Sequence, residues 1–277
     1  MNAAVTEWIL LRGLSREARH WGRFPQHLGE ALGAASGAVR VTCLDLPGNG
    51  QLNDLASLRS VEAMADWCHA ELARRGSTFP CSVVAMSLGA MVAVAWAQRH
   101  PGDLAAAVLI NTSLRPFSPF YRRMRPANYL PLTRLFGLPA SGREIETAIL
   151  QMTTRRVADP DAVITQWLQW RRENPVSRRN ALRQLLVAAR YRAPQRRPLD
   201  RILLLAGGAD RLVDPRCSGE LARAWDLPLH IHPEGGHDLP LDDEAWVLQR
   251  ILAWLDPDGM DDPGSCANLC NGSATKP

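Results

Sequence analysis

"SVVAMSLGAMVAVAW", residues 82–96, opens as a run of consecutive apolar residues and closes as a longer apolar stretch, with one hydroxyl between them. The first half suits a strand covered on both faces, and the second suits a buried helix. Ser87 stands at the join, with Ala85 two residues before it and Gly89 two residues after. Small residues at those two spacings permit a sharp strand-to-helix turn. Such a turn is either a tight connection that contains a serine or a device that holds up a nucleophile. The rest of the chain decides between them.

Similar apolar runs recur at "WILL" (8–11), "VRVTCL" (39–44), "AAVLI" (106–110), "RILLLA" (201–206) and "PLHIH" (228–232), besides "CSVVAM" (81–86). Helical patterns separate them, at about 17–33, 60–75, 88–99, 216–225 and 241–255. In the second of these Ser60 is placed to cap the start and Gly76 to stop the end. The alternation predicts an α/β fold with a mostly parallel, doubly wound sheet. Its ligand crevice then lies at the C-terminal ends of the strands. Residues 112–199 break the alternation: they are Pro- and Arg-rich at first, then read as three helices at 142–157, 160–173 and 177–191. A helical insertion on the ligand side is expected to act as a lid. The chain thus divides into core (1–111), lid (112–199), core (200–256) and a tail (257–277) whose Gly, Pro, Ser and Asp content predicts disorder.

With 46% hydrophobic and 22% charged residues over 277 positions, the chain can bury a sizeable core and is not of disordered type. A net charge of +4, with no stripe of Arg interleaved with aromatics, argues against nucleic acid as partner. Lys276 is the only lysine, so arginine carries nearly all the positive charge. No segment approaches the roughly 20 apolar residues of a membrane span. The start "MNAAVTEWILLRG" has no signal-peptide pattern, so a cytoplasmic location is expected. Cys43, Cys68, Cys81 and Cys217 fall in or beside predicted elements, as free thiols of a reducing compartment would. Cys266 and Cys270 lack a nearby His or second Cys pair, so neither a metal nor a cofactor is predicted.

The ends of three predicted strands carry complementary chemistry. Ser87 follows the third run, Asp210 in "GGADRLVDP" follows the fifth, and His237 in "PEGGHDLP" follows the sixth. A nucleophile, a base and an orienting acid are what acyl transfer needs. The chain resembles the α/β-hydrolase family, whose nucleophile elbow reads G-x-S-x-G and whose triad runs Ser, Asp or Glu, His. "AMSLG" (85–89) is similar to that elbow with Ala85 in place of the first glycine. "GGADRLV" (207–213), "GGHD" (235–238) and "DLPGNG" (45–50) resemble the stretches around the acid, the base and an early turn. The resemblance implies an α/β-hydrolase fold and a cofactor-free serine hydrolase, carboxylesterase-like, with Ser87 as nucleophile, His237 as base and Asp210 as orienting acid. It also implies an oxyanion hole from the backbone N–H groups of Leu14 and Leu88. Where many members have His-Gly, this chain has Arg12-Gly13, and the pocket entrance is expected to gain a positive charge.

Each assignment has a competitor. His230 and His232 sit within a strand and suit structural roles. Asp214 precedes Pro215 and suits a helix cap, and Asp45 suits a turn. Trp21 is placed either in the pocket or in the core. Trp167 and Trp170, three apart, share one helix face and either line an acyl pocket or pack the lid onto the core. The lid arginines (122, 123, 125, 155, 156, 171, 172, 178, 179 and 183) read either as a solvated face or as a docking surface for an acidic acyl carrier protein. The resemblance extends to the esterase that cleaves a pimeloyl-carrier-protein methyl ester. The expected substrate is a small-molecule ester or thioester. Its alternatives are a carrier-linked ester and a small-molecule sensor that keeps the triad.

Overall fold

The computed structural model describes residues 6–137 and 140–256. Six strands form one parallel sheet in the order β2-β1-β3-β4-β5-β6. They are β1 (Thr6–Leu11), β2 (Val39–Cys43), β3 (Cys81–Met86), β4 (Leu104–Ile110), β5 (Ile202–Gly207) and β6 (Leu229–His232). The inner strands β3 and β5 are buried at every residue, as their unbroken apolar runs require, whereas the edge strand β2 is only partly covered. The chain turns one way from β1 to β2 and the other way from β1 to β3. The loops after β1 and β3 therefore flank the point where strand order reverses, and this is where ligands enter such sheets.

Alternate strand residues feed two cores. Ile9, Leu11, Val83, Ala85, Leu109 and Leu204 face one side, with α2 (Val61–Arg74), α3 (Leu88–Arg99) and α9 (Arg216–Trp225). Trp8, Leu10, Val84, Met86, Ile110 and Leu205 face the other, with α1 (Phe24–Ser36) and α10 (Glu244–Leu255). Helix α3 is buried from Leu88 to Ala97, which explains why its sequence is apolar on every face. Ser60 caps α2 by accepting the Ala63 N–H. The helix expected over 17–33 is instead a 3-10 turn (Ala18–Trp21) followed by α1, because Gly22 takes φ 59° and Pro25 can only begin a new helix.

The insertion carries α4 (Phe120–Arg123), α5 (Tyr129–Gly137), α6 (Gly142–Thr153), α7 (Pro160–Glu173) and α8 (Arg178–Arg190). The last three match the expected helices, and caps fix their starts: Ser141 with Glu144 in a reciprocal box, Asp159 before Pro160, and Ser177. Buried amides pin α8 to the core. Gln184, fully buried, accepts the Ser15 N–H (2.8 Å) and donates to Asn49 Oδ1 (2.8 Å) and Ser57 Oγ (2.9 Å). Asn180 accepts the Ser57 N–H (2.9 Å) and donates to the Leu55 carbonyl (3.0 Å). The tail (257–277), with its two cysteines, lies outside the described residues. Among the described residues no helix is long and apolar enough to cross a membrane.

Candidate active site

Ser87 takes φ 54° and ψ −113°, a conformation that a side-chain-bearing residue rarely adopts. Two features hold it there. Its N–H continues the sheet ladder to the Ile110 carbonyl (3.0 Å), while its own carbonyl starts α3 by accepting from Met91 (3.3 Å). The packing around the turn also demands small residues. A Cβ on Gly89 would lie 2.5 Å from the Leu11 carbonyl oxygen and 2.7 Å from that of Arg12. A Cβ on Gly13 would lie 3.2 Å from Ser87 Cβ. Ala85 is fully buried beside Leu11 and Leu109 and fits without such a collision.

Asp210 and His237 meet at the C-terminal ends of β5 and β6. Asp210 Oδ2 lies 2.7 Å from His237 Nδ1, and its Oδ1 accepts the N–H groups of Leu212 (2.8 Å) and Val213 (2.9 Å). Both side chains are buried. Asp214 instead accepts the Arg216 N–H (3.0 Å) and the Arg216 guanidinium at the start of α9, whose N-cap position is Pro215. His232 accepts from Glu234 and Gly235 N–H groups through Nδ1 and contacts Asp243 through Nε2, so it shapes the loop that carries His237. Asp45 accepts the Ala18 N–H (2.6 Å), and burial raises its pKa.

Two residues with no assigned role in the sequence complete this framework. Asn111, at φ 48° just after β4, donates to the Gly236 (3.0 Å) and His237 (2.7 Å) carbonyls and accepts the Gly207 N–H (2.8 Å). It clamps the end of β5 to the histidine loop. An Asn following an apolar strand is the available signal, since Asn tolerates the left-handed region. The second is Asp238, which takes both guanidinium nitrogens of Arg12, Nη1 at 3.1 Å and Nη2 at 2.5 Å. Arg12 is 4% exposed and lies 4.8 Å from the Trp21 ring centroid. The expected positive charge at the entrance is therefore absent: Arg12 is an internal strut, and a carboxylate neutralises it.

Over the strand ends lies a cavity of about 520 Å³. Ser87, Leu88, Leu14 and His237 line it, along with the apolar side chains Met91, Ile145, Ile149, Met152 and Leu185. Exposed Phe120, Tyr129 and Leu186 form part of its wall. The N–H groups of Leu14 and Leu88 donate to no acceptor among the described residues, and Ser87 Oγ has no hydrogen-bond partner there. Trp21, Trp167 and Trp170 do not line this cavity. Trp21 is packed in the α1 core, and Trp167 is buried between α6 and α7. Trp167 and Trp170 surround His20, with ring centroids at 5.5 and 5.0 Å. Their shared helix face covers the loop after β1 instead of the cavity.

A parallel sheet with a strained serine elbow after its third strand, and a buried acid–histidine pair after its fifth and sixth, defines an α/β-hydrolase architecture. The sequence profile of the Alpha/beta hydrolase family matches residues 8–250, and the chain belongs to that family. Solved structures of similar fold include a thermophilic esterase from Thermogutta terrifontis, at 21% identity and TM-score 0.69, covering 92% of this chain and 91% of that one. The esterase RhEst1 from Rhodococcus sp. aligns at 19% identity and TM-score 0.67, over 92% of each chain. A meta-cleavage product hydrolase from Pseudomonas fluorescens aligns at 15% identity and TM-score 0.70, over 91% of each chain. No curated protein sequence matches the chain.

Proposed function

We propose that the protein is a serine hydrolase that cleaves a carboxylic ester or thioester through an acyl-enzyme on Ser87. The observation that carries this reading is the shared cavity: the strained Ser87 and the Asp210-bonded His237 line one apolar chamber. His237 takes the hydroxyl proton through Nε2 as Ser87 Oγ attacks the carbonyl carbon. Asp210 fixes the Nδ1–H tautomer and stabilises the imidazolium that forms. The N–H groups of Leu14 and Leu88 receive the oxyanion, which is charge the ground state lacks. His237 then protonates the leaving group, and water attacking the acyl carbon regenerates Ser87. Ser87 and His237 make no hydrogen bond in the structure, and contacts of this kind commonly tighten in the Michaelis complex.

A free small molecule is the favoured substrate class over a carrier-linked one, because several of the lid arginines are engaged within the chain. Arg122 pairs with Glu220, Arg156 with Glu234 and Arg171 with Glu146. Arg123 donates to the Ser113, Ala188 and Ala189 carbonyls, and Arg183 to that of Ser57. The test is labelling with a fluorophosphonate probe and turnover of short p-nitrophenyl esters. Wild-type protein is expected to label and turn over, and Ser87→Ala to do neither. Ligand binding without turnover or labelling would replace the hydrolase by a sensor.

A further inference from the structure

Beside the cavity, two lid helices and the loop after β1 bring three charged groups together. The buried carboxylate of Glu146 on α6 accepts from Arg16 Nη1 (2.8 Å) and from Arg171 Nε on α7 (2.6 Å). One carboxylate thus holds two guanidinium groups, while Glu17, the other carboxylate of the adjoining cleft, pairs with Arg19. Arg12, the next cation along the loop, is already matched by Asp238.

The same cluster has unused donors. Among the described residues Arg16 Nη2 and Ser15 Oγ are buried without partners, and Arg171 hydrogen-bonds through Nε alone. Buried donors left empty are costly and call for an explanation. The groups are also fixed in place. Arg16 stacks 3.9 Å from the Trp167 ring centroid, and Ser15, at φ 56°, is held by Gln184. Ser15, Arg16 and Arg171 line the substrate cavity and a small cleft of about 20 Å³ beside it.

We propose that Ser15, Arg16 and Arg171 form a subsite for a carboxylate on the substrate, remote from the scissile bond. The substrate is then an amphipathic anion, with its apolar chain in the cavity and its charge at the arginine pair. Planar guanidinium groups match a carboxylate through paired N–H donors. This inference rests on the ester hydrolysis proposed above.

The experiment compares hemi-esters of straight-chain dicarboxylic acids with neutral esters of the same chain length. Wild-type protein is expected to show lower KM for the hemi-ester at a chain length that spans Ser87 and the arginines. Arg171→Gln, at a side chain already one-quarter exposed, should raise that KM roughly ten- to a hundredfold. It should raise the neutral ester's KM far less, and Arg171→Lys should recover part of the loss on the hemi-ester. Equal losses on both esters would reduce the arginine pair to a structural brace and overturn the subsite. A second arm needs no turnover: calorimetric binding of the free dicarboxylates to Ser87→Ala, with and without Arg171→Gln. Arginine-dependent binding with no hydrolysis of any ester keeps the subsite and discards the reaction. Hydrolysis indifferent to charge, with no arginine-dependent binding, keeps the reaction and discards the subsite.

Discussion

Gly89 and Ala85 flank Ser87 at equal spacing, yet the structure asks very different things of them. A Cβ at 89 would meet two backbone carbonyl oxygens at 2.5 and 2.7 Å, and backbone atoms held in a parallel sheet cannot retreat. Gly89→Ala is expected to destabilise the protein by about 1–3 kcal/mol by overpacking. It should also depress kcat, because the displaced carbonyls belong to the loop that positions Leu14. Ala85 already carries the Cβ that the elbow motif omits, so Ala85→Gly should cost no more than about 1 kcal/mol, chiefly through backbone entropy. Urea unfolding of both variants, with p-nitrophenyl ester turnover beside it, checks the contrast. If the two substitutions cost the same, the close approach of Leu11 and Arg12 to α3 is not what fixes the elbow. The second glycine of the motif was legible in the sequence only through the family pattern, because the carbonyls it must clear belong to Leu11 and Arg12, far away along the chain. The tolerance at 85 was legible too, since Ala is the smallest step from Gly.

Between elements, the contacts that matter join loops far apart in sequence. Arg12 follows β1 and Asp238 follows His237, and their buried ion pair ties the loop after β1 to the His237 loop. Removing one partner strands the other charge in the interior, so Arg12→Met is expected to cost about 3–5 kcal/mol. The double variant Arg12→Met, Asp238→Leu should recover most of that loss, since burying the two charges is itself expensive. Chemical denaturation of the three variants gives the coupling directly, and additive losses would deny the pair. Gln184 tests the lid in the same way. Gln184→Ala leaves the Ser15 N–H, Asn49 and Ser57 without their buried partner, at about 1–3 kcal/mol for each unsatisfied group. Faster proteolysis of α8 and slower turnover are expected together, because Ser15 adjoins Leu14. Helix limits in the lid were legible, since Ser141, Pro160 and Ser177 act within one turn of their own backbone. Partners were not. The spacing of Trp167 and Trp170 revealed a shared face but not what it covers, and Arg12 looked like a surface charge until Asp238 was placed beside it.

The sheet as a whole was readable because a parallel arrangement buries its strands on both faces, and continuous apolar runs such as residues 81–86 record that burial directly. The order of functional residues at the strand ends followed from topology. What the sequence could not convey is how the folded interior changes the ionisation of its groups. His20 stands half-buried among Arg16, Arg12 and Arg19, near the Trp167 and Trp170 rings. Burial first, and the neighbouring arginines second, lower its pKa well below the usual 6.5. The unfolded chain therefore binds a proton on His20 at a pH where the folded protein does not. Its contribution to stability is complete above pH 6.5 and is lost as the pH falls from there toward the folded pKa. The slope in that window approaches 1.4 kcal/mol per pH unit for a single group, as an order of magnitude. Glu146 titrates in a separate window. Burial raises its pKa, but Arg16 and Arg171 together lower it below 4.5, so its contribution is lost only in more acid solution. The measurement is urea unfolding of wild-type protein and of His20→Gln, which keeps an acceptor for Arg16 and removes the titration. The stability difference between them is expected to change steadily between pH 7 and 5, in the direction that makes the variant relatively more stable in acid. A difference that stays flat over that interval would mean that His20 takes up its proton in the folded protein as readily as in the unfolded chain.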